Sequence, residues 1–299
     1  MKVVRSYLML TKPTIMLLVV ITGAAALVME ATFLTRPLDA ILVLLGLFMT
    51  GGSANALNQY FERDIDAQMA RTKDRRPLPL KEITSRAALT FAVSIGLAGV
   101  ALFAIRFNIL SAALALGTIL FYGLFYTLLL KPHTAQNIVI GGAAGAMAPV
   151  ISWAAATNGS AIEPWLLFLV IFLWTPPHFW ALALYRKSDY ETVKLPMMPI
   201  VHGIDATLKQ MVWYSIALVI VTLVLGLFGT GYVYVVAAIV LGVIFMQKML
   251  LAYKERTAQS EIRLFLFSIV YLLALFSVII LEGMTGLNRW RYGAYRVRG

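Results

Sequence analysis

A cluster of charged residues ends an apolar stretch of the chain at Asn58-Gln-Tyr-Phe-Glu62-Arg-Asp64-Ile-Asp66. Asn58, Glu62 and Asp66 follow one another at intervals of four residues, and each interval rotates only about 40° around a helix. On a continuous helix these three side chains share one stripe, whereas Asp64 points to the opposite side. Oxygen ligands on one stripe suit a hard cation such as Mg²⁺, which binds through few carboxylates and leaves positions for phosphate oxygens. A solvated helix end is the alternative interpretation.

Four cations follow directly, at Arg71, Lys73, Arg75 and Arg76. Guanidinium groups match phosphate oxygens in charge and geometry. Beside a metal site, we therefore interpret Arg71 and Arg75 as diphosphate-binding residues and Lys73 as a further substrate contact. The same cations could instead serve only to orient the chain in a membrane.

The composition is that of a membrane protein. The chain has 299 residues, of which 61% are hydrophobic and 13% charged, against about 45–50% and about 25% in ordinary soluble domains. Its net charge is +11, but most cations lie in short loops, so we expect a lipid bilayer and no nucleic acid as the partner. Cysteine is absent, which excludes disulfides, thiolate nucleophiles and cysteine-ligated metals.

Apolar runs predict an all-α polytopic protein with nine transmembrane helices in a single domain, residues 1–299. A spanning helix needs about 20 apolar residues, and lipid requires that backbone polar groups be satisfied within the helix. We interpret the first apolar run as a retained helix, because it lacks a convincing cleavage site. The nine segments are residues 14–34, 38–60, 85–105, 109–130, 135–157, 163–185, 208–229, 231–253 and 262–284.

Charge alternates between the two ends of these helices. The connections after the first, third, fifth and seventh helices carry few cations, such as Arg36 and Arg106, whereas the N-terminus and the other connections are rich in them. The positive-inside rule then places the N-terminus and the charged loops in the cytoplasm. Two of these loops are long, about 62–84 and 186–207. An arginine-rich tail conflicts with this topology, because nine spans put it outside; its arginines are Arg289, Arg291, Arg296 and Arg298.

The second long loop opens with Tyr185-Arg186-Lys187-Ser-Asp189 and continues to Lys194. Tyr185 and Asp189 are four residues apart at the end of the sixth helix. The pair alone is a weak signal, but it recurs four helices after the first cluster and on the same side of the membrane. We therefore include Tyr185 among the catalytic residues and Asp189 as a further metal ligand.

The sixth helix contains Trp174-Thr-Pro-Pro-His178-Phe-Trp180. The two prolines predict a kink or break. Ionisable residues inside a membrane are often functional, so His178 is a candidate ligand-binding residue. A packed histidine that bonds a freed carbonyl is an equal alternative.

These motifs together resemble the UbiA superfamily of intramembrane prenyltransferases. The run from Asn58 to Thr72 is similar to the first aspartate-rich motif of the branch that prenylates haem. Three further segments match the same branch: Gln136-Asn-Ile-Val-Ile-Gly-Gly-Ala-Ala-Gly145, Thr175-Pro-Pro-His-Phe-Trp180 and Leu195-Pro-Met-Met-Pro199. Against the wider superfamily, Glu62 and Tyr185 stand where aspartate is usual, which puts a second metal site in doubt.

The resemblance implies nine helices around a central cavity, capped by the two long loops. It implies Mg²⁺-dependent transfer of a farnesyl group from farnesyl diphosphate to a vinyl group of haem B. Addition of water would give haem O, for hand-over to haem A synthesis or to a haem–copper oxidase. A bacterial inner-membrane location follows. The loop cations Arg186, Lys187 and Lys194 could then meet the haem propionates, and His178 could be an axial ligand.

Two other functions stay open. A prenyltransferase of the same fold could act on an aromatic acid or quinone precursor, although the Thr-Pro-Pro-His segment argues against it. A secondary transporter would place its coupling residues near the bilayer midplane, whereas here the charges lie at one membrane face.

Overall fold

The computed structural model describes residues 2–70, 72–193 and 195–286, and these residues are almost entirely helical. Arg71, Lys194 and the arginines of the tail lie outside them. Besides a 3₁₀ turn at Thr32–Thr35 and a π-helix at Phe121–Leu130, the helices are α1 (Lys2–Leu10), α2 (Pro13–Glu30), α3 (Pro37–Phe61), α4 (Arg63–Asp66), α5 (Ser85–Arg106), α6 (Ile109–Leu120), α7 (Lys131–His133), α8 (Asn137–Gly145), α9 (Ala148–Thr157), α10 (Ile162–Tyr185), α11 (Lys187–Thr192), α12 (Met198–Val201), α13 (Gly203–Leu225), α14 (Tyr232–Glu255) and α15 (Ala258–Thr285).

Nine membrane-spanning helices are present in the described part of the chain, as the apolar runs predict. The protein is therefore a multi-pass membrane protein. Six spans are single α-helices and a seventh, α2, follows the short helix α1. The fourth span runs from α6 through the π-helix to α7 (Ile109–His133), and the fifth joins α8 and α9 (Asn137–Thr157).

Four predicted boundaries were wrong by four or five residues, and one of them is the end of the seventh span, which lies at Leu225 and not at 229. The first span ends at Glu30, because Ala31 turns left-handed (φ 72°) and donates its N–H to the Leu27 carbonyl. The seventh span begins at Gly203, so the second long loop ends at 202 and not at 207. The ninth begins at Ala258, behind a capping box that Thr257 forms with Ser260.

The prolines of α10 do not break the helix, which continues from Ile162 to Tyr185. Directly before the prolines, the Thr175 hydroxyl donates to the Ile171 carbonyl at 2.8 Å. Of the two predicted outcomes, a kink or a break, the structure therefore excludes the break.

Packing of the spans brings four helix ends to one membrane face. α3 packs along α5, α10 packs along α13 and α15, and α15 also contacts α2. Because successive spans run in opposite directions, the start of α2, the end of α3, the end of the fourth span and the end of α10 lie on the same side. The predicted functional residues lie at two of these ends, those of α3 and α10, and in the loops that follow them.

Candidate active site

The stripe of Asn58, Glu62 and Asp66 forms as predicted. α3 ends at Phe61, but the helical hydrogen bonds continue from Glu62 N–H to the Asn58 carbonyl (3.0 Å) and from Asp66 N–H to the Glu62 carbonyl (2.8 Å). All three side chains are buried, Glu62 with 4% and Asp66 with 2% exposure. The Asp64 side chain is 81% exposed, which agrees with its predicted position off the stripe.

Three cations neutralise the two buried carboxylates. Lys131 Nζ donates to Glu62 Oε1 at 2.5 Å. Arg76 donates to Asp66 Oδ2 and lies 3.9 Å from Glu62 Oε2. Lys12 Nζ donates to Asn58 Oδ1 at 2.8 Å. The carboxylates are thus held in place by side chains from α7 and from the first long loop, and Asn58 is held by Lys12 from the joint between α1 and α2.

Asn58 links these charges through both ends of its amide. Its oxygen accepts from Lys12, while its nitrogen donates to Glu62 Oε1 at 2.8 Å and to the Thr127 hydroxyl at 3.2 Å. The amide oxygen of Asn58 therefore already contacts one cation, the ammonium group of Lys12, in the way that it would contact a bound metal ion.

The π-helix explains how the fourth span reaches this cluster. A helix with i→i+5 hydrogen bonds winds at about 4.4 residues per turn, so residues nine apart complete about two turns and lie on one face. Tyr122 and Lys131 are such a pair, and Thr127 lies between them, donating to the Tyr122 carbonyl at 2.7 Å. In an α-helix nine residues make about two and a half turns, which would turn Lys131 away from Tyr122.

Aromatic rings flank the cluster on this helix. Tyr122 and Tyr126 are stacked, with ring centroids 5.1 Å apart and an interplanar angle of 13°. The Tyr126 ring lies against the bare Cα of Gly141, where a Cβ would collide with it. Gly141 therefore determines how closely this wall approaches α8.

The joint between α1 and α2 holds Lys12 in an uncommon backbone conformation, with φ 53° and ψ 66°. Side chains of α3 bind the carbonyls around it. Gln59 donates to Met9 and Leu10, at 3.1 and 3.0 Å, and Asn55 donates to Thr11 at 3.2 Å. These bonds fix the turn that aims Lys12 at Asn58.

The charges shift one another's protonation. Burial of the ammonium group, reinforced by the charge of Arg76, lowers the pKa of Lys12 to about 7. Burial alone would raise the pKa of Glu62, but Lys131, Lys12 and Arg76 together hold it below its ordinary value. Burial raises the pKa of Asp66 despite the opposing charge of Arg76. Glu62 is therefore the carboxylate more firmly kept ionised.

The donor set fits a hard divalent cation. Asn58, Glu62 and Asp66 offer one amide oxygen and two carboxylates, the kind of set that binds Mg²⁺ alongside substrate phosphates. Among the described residues, no group of three or more acidic, histidine or cysteine side chains converges on one point. Asp189 thus does not join Glu62 and Asp66 in a three-carboxylate group.

Among the residues that the structure describes, none of the cations predicted to bind diphosphate or substrate on the first long loop joins the carboxylate cluster. Arg71 lies outside the described residues. Lys73 and Arg75 are exposed on the first long loop, whereas Arg76, which we had interpreted only as one of the loop cations, enters the carboxylate cluster. The inward position of Arg76 follows from a bond made by Thr72. The Thr72 hydroxyl donates to the Asp66 carbonyl at 2.7 Å and folds the loop back.

The second long loop is less organised. Tyr185 is 38% exposed, and the Arg186 guanidinium lies 5.1 Å from its ring centroid. Asp189 is mostly covered, and its Oδ2 is buried with no hydrogen-bond partner among the described residues. Arg186 Nη1 lies 3.9 Å from that oxygen. Lys187 pairs with Glu191 at 3.6 Å on the surface, and Lys194 lies outside the described residues.

His178 is packed between aromatic rings. Its ring lies 4.1 Å from Trp174 and 4.6 Å from Phe265, measured between centroids. Ser268 gives its one hydroxyl proton to the Phe265 carbonyl at 2.6 Å, so the 2.6 Å contact with His178 Nδ1 requires the histidine to donate. The lone pair is then on Nε2. This geometry supports the alternative that His178 is a packed histidine. Its hydrogen bond, however, goes to Ser268 of α15 and not to a carbonyl that the prolines leave free.

Lys12 and Lys131 escaped the sequence-based prediction of the site. The one feature that could have identified them is their position in the predicted topology, since both lie at span ends on the same membrane face as Asn58. Nothing local distinguished them from topology-determining cations.

Comparisons with known proteins agree with this geometry. A model of the UbiA prenyltransferase family matches residues 18–277. The chain is 46% identical over 286 residues to protoheme IX farnesyltransferase of Rhodopseudomonas palustris strain HaA2, covering 93% of this chain and 90% of that protein. It is 43% identical over 287 residues to the protoheme IX farnesyltransferase of Rippkaea orientalis, covering 95% and 88%.

Solved structures show the same fold. A structure of digeranylgeranylglyceryl phosphate synthase superposes with a TM-score of 0.79 at 20% identity, covering 95% of this chain and all of that one. A UbiA homologue from Archaeoglobus fulgidus bound to GPP and Mg²⁺ gives a TM-score of 0.62 at 18% identity, covering 92% and 99%. With a family model over most of its length and relatives above 40% identity, the chain belongs to the UbiA prenyltransferase family.

Proposed function

We propose that this protein transfers a farnesyl group from farnesyl diphosphate to a vinyl group of haem B, with addition of water, to give haem O. The observation that carries the proposal is the buried Asn58–Glu62–Asp66 stripe with its three cations, in a chain 46% identical to a protoheme IX farnesyltransferase. Oxygen ligands and cations at one membrane face suit a metal–diphosphate whose prenyl tail lies in the bilayer.

The first cluster supplies the diphosphate half of the reaction. Asn58, Glu62 and Asp66 would hold Mg²⁺, and Asp189, whose buried Oδ2 has no hydrogen-bond partner among the described residues, would be a further ligand from the second long loop. Bound Mg²⁺ supplies positive charge that stabilises the departing diphosphate. In this proposal Arg71 and Arg75 bind the diphosphate, joined by Arg76, Lys12 and Lys131, whose charges would stabilise the leaving group in the same way.

The allylic half of the reaction needs protection from water. When the C–O bond of farnesyl diphosphate breaks, the allylic cation must persist until the haem vinyl carbon attacks it. The stacked faces of Tyr122 and Tyr126 lie beside the carboxylate cluster and can stabilise a cation. Tyr185, at the end of α10, closes the site from the second long loop.

Haem recognition is assigned to the cations of the two loops. Lys73, Arg186, Lys187 and Lys194 would meet the propionates as exposed ion pairs, and His178 would contribute through Nε2 or through packing. The charged loops face the cytoplasm of a bacterial cell, with the spans in its inner membrane. Haem O would pass to haem A synthesis or to a haem–copper oxidase.

The direct test incubates purified protein with haem B, farnesyl diphosphate and Mg²⁺, followed by mass spectrometry. A product heavier than haem B by one farnesyl group plus water is expected, and the Glu62→Ala variant serves as the inactive control. An aromatic acid acceptor in a parallel reaction should yield nothing. Prenylation of that acceptor but not of haem B would replace this proposal with the quinone-precursor alternative.

A spectral titration with haem B separates the two roles of His178. Because the ring is packed between Trp174 and Phe265, we expect His178→Ala to leave the Soret band in place and to lower the unfolding free energy by about 2–4 kcal/mol. A shifted Soret band with weaker haem binding would identify His178 as an axial ligand.

A further inference from the structure

A groove separate from the carboxylate cluster lies between α1 and the first turns of α5. Its volume is about 550 Å³ and it opens widely to the outside. Its aromatic side is formed by Tyr7 and Phe91, whose ring centroids lie 5.0 Å apart. Its polar side consists of Thr84, Arg86, Thr90 and Ser94. None of these residues has a role in the proposed prenyl transfer.

The groove extends from the membrane surface into one leaflet. Thr84 is the N-cap of α5 and Ser94 lies ten residues further along, a rise of about 15 Å at 1.5 Å per residue. Half of a hydrocarbon core about 30 Å thick is also about 15 Å. A ligand that fills the groove therefore needs a polar head near Thr84 and an apolar body beside Phe91.

Two features favour a negatively charged head. Arg86 is exposed and has no ion-pair partner among residues 2–70, 72–193 and 195–286, and Arg5 is exposed on the neighbouring helix α1. An arginine guanidinium is well matched to phosphate oxygens. The nearby carboxylate of Glu82 is bound by the Ser6 hydroxyl at 2.7 Å.

The outer surface of α1 favours lipid over a soluble ligand. Val3 and Val4 are 60% and 73% exposed, and Leu8 is exposed beside them. A helix with an apolar outer face and basic residues, joined directly to a spanning helix, lies in the membrane interface. The groove is therefore bordered by bilayer.

We propose that this groove binds one anionic phospholipid from the leaflet that contains the carboxylate cluster. The phosphate contacts Arg86 and the hydroxyls of Thr84 and Thr90, and an acyl chain lies along Tyr7 and Phe91. The proposal does not depend on the prenyl-transfer reaction.

Native mass spectrometry of the delipidated full-length protein in detergent tests it. The protein is incubated with phosphatidylglycerol or with phosphatidylcholine of the same acyl chains. We expect retained phosphatidylglycerol to fall about fivefold or more in Arg86→Gln, roughly the loss of one charge-assisted contact. The matched control is Arg263→Gln, because Arg263 is likewise exposed near the start of α15 but does not line the groove.

A second variant, Thr90→Trp, fills the groove without removing charge and should also reduce retention. Its melting temperature and that of Arg86→Gln are compared with the parent protein, so that misfolding is recognised. The proposal is overturned if correctly folded Arg86→Gln and Thr90→Trp retain phosphatidylglycerol like the parent. It is equally overturned if phosphatidylcholine binds as well, or if glycerol phosphate displaces the lipid at equal concentration.

Discussion

The two long loops on the charged side of the membrane both carry acidic and basic residues, but their structures differ. In the first, residues 62–84, both cluster carboxylates are buried and each is paired with a cation. In the second, residues 186–202, the Asp189 carboxylate has a buried oxygen without a hydrogen-bond partner among the described residues. Its nearest cation, Arg186, is 3.9 Å away and about half exposed.

The difference arises from what surrounds each loop. Lys131 from α7 and Arg76 hold the carboxylates of the first loop, and Lys12 from the α1–α2 joint holds the neighbouring Asn58. The ion pairs of the second loop are local, Arg186 with Asp189 and Lys187 with Glu191. We infer that the first loop is preorganised, whereas the second completes its contacts when substrate and metal are bound.

The strongest test removes the carboxylates of the first loop. Glu62→Ala or Asp66→Ala should reduce turnover by at least about a hundredfold, as expected for charge stabilisation at the leaving group. Asp64→Ala, whose side chain is exposed, should stay within about threefold. The measurement is haem O formation by inserted, folded protein. Near-normal turnover in Asp66→Ala would refute the metal assignment.

Adjacent arginines give a matched comparison within the first loop. Arg76→Met should reduce kcat/KM for farnesyl diphosphate by about a hundredfold, since a buried charge pair is broken. Arg75→Met should cost about tenfold or less, because an exposed side chain makes a weaker, solvent-screened contact. Equal losses in steady-state kinetics would mean that the loop rearranges on binding.

The second loop is tested through its metal requirement. Asp189→Asn should raise the Mg²⁺ concentration for half-maximal activity by about tenfold, within the range for groups that support a metal site. Glu191→Gln is the control, because Glu191 is exposed and paired with Lys187. An unchanged Mg²⁺ dependence in Asp189→Asn would confine the metal to the first loop.

The smallest effect concerns the aromatic wall beside the first loop. Gly141→Ala should lower stability by about 1–3 kcal/mol and reduce activity severalfold, because a Cβ there collides with Tyr126. Gly145→Ala is matched on the same helix, since no atom of the described residues lies within 4 Å of its Cβ position. Thermal melts and turnover are measured together. Equal behaviour of the two variants would show that the wall is not fixed by this contact.

Much of the fold could be predicted from the sequence, because lipid makes apolar length a strong constraint. The stripe of Asn58, Glu62 and Asp66 was also predictable, since it depends only on helical spacing. The cations of the cluster were harder to predict. Lys12 and Lys131 lie 46 and 69 positions from their partners, so tertiary packing alone brings them to the cluster.

Local geometry accounts for the other errors. Whether Arg75 or Arg76 faces inward depends on a turn that Thr72 fixes by bonding the Asp66 carbonyl, and the spacing of charges does not contain that information. The π-helix likewise changes the direction in which Lys131 projects, and the sequence of Phe121–Leu130 contains no pattern that predicts it.

The left-handed backbone at Lys12 has a consequence for the evolution and engineering of the protein. A residue with a side chain pays about 1–2 kcal/mol for this conformation, and glycine would relieve it. The same substitution would remove the ammonium group that donates to Asn58. Backbone strain alone would therefore favour glycine at position 12, whereas the bond to the buried Asn58 and the chemistry of the site favour lysine. Backbone strain and the contacts of the site are opposed at this position.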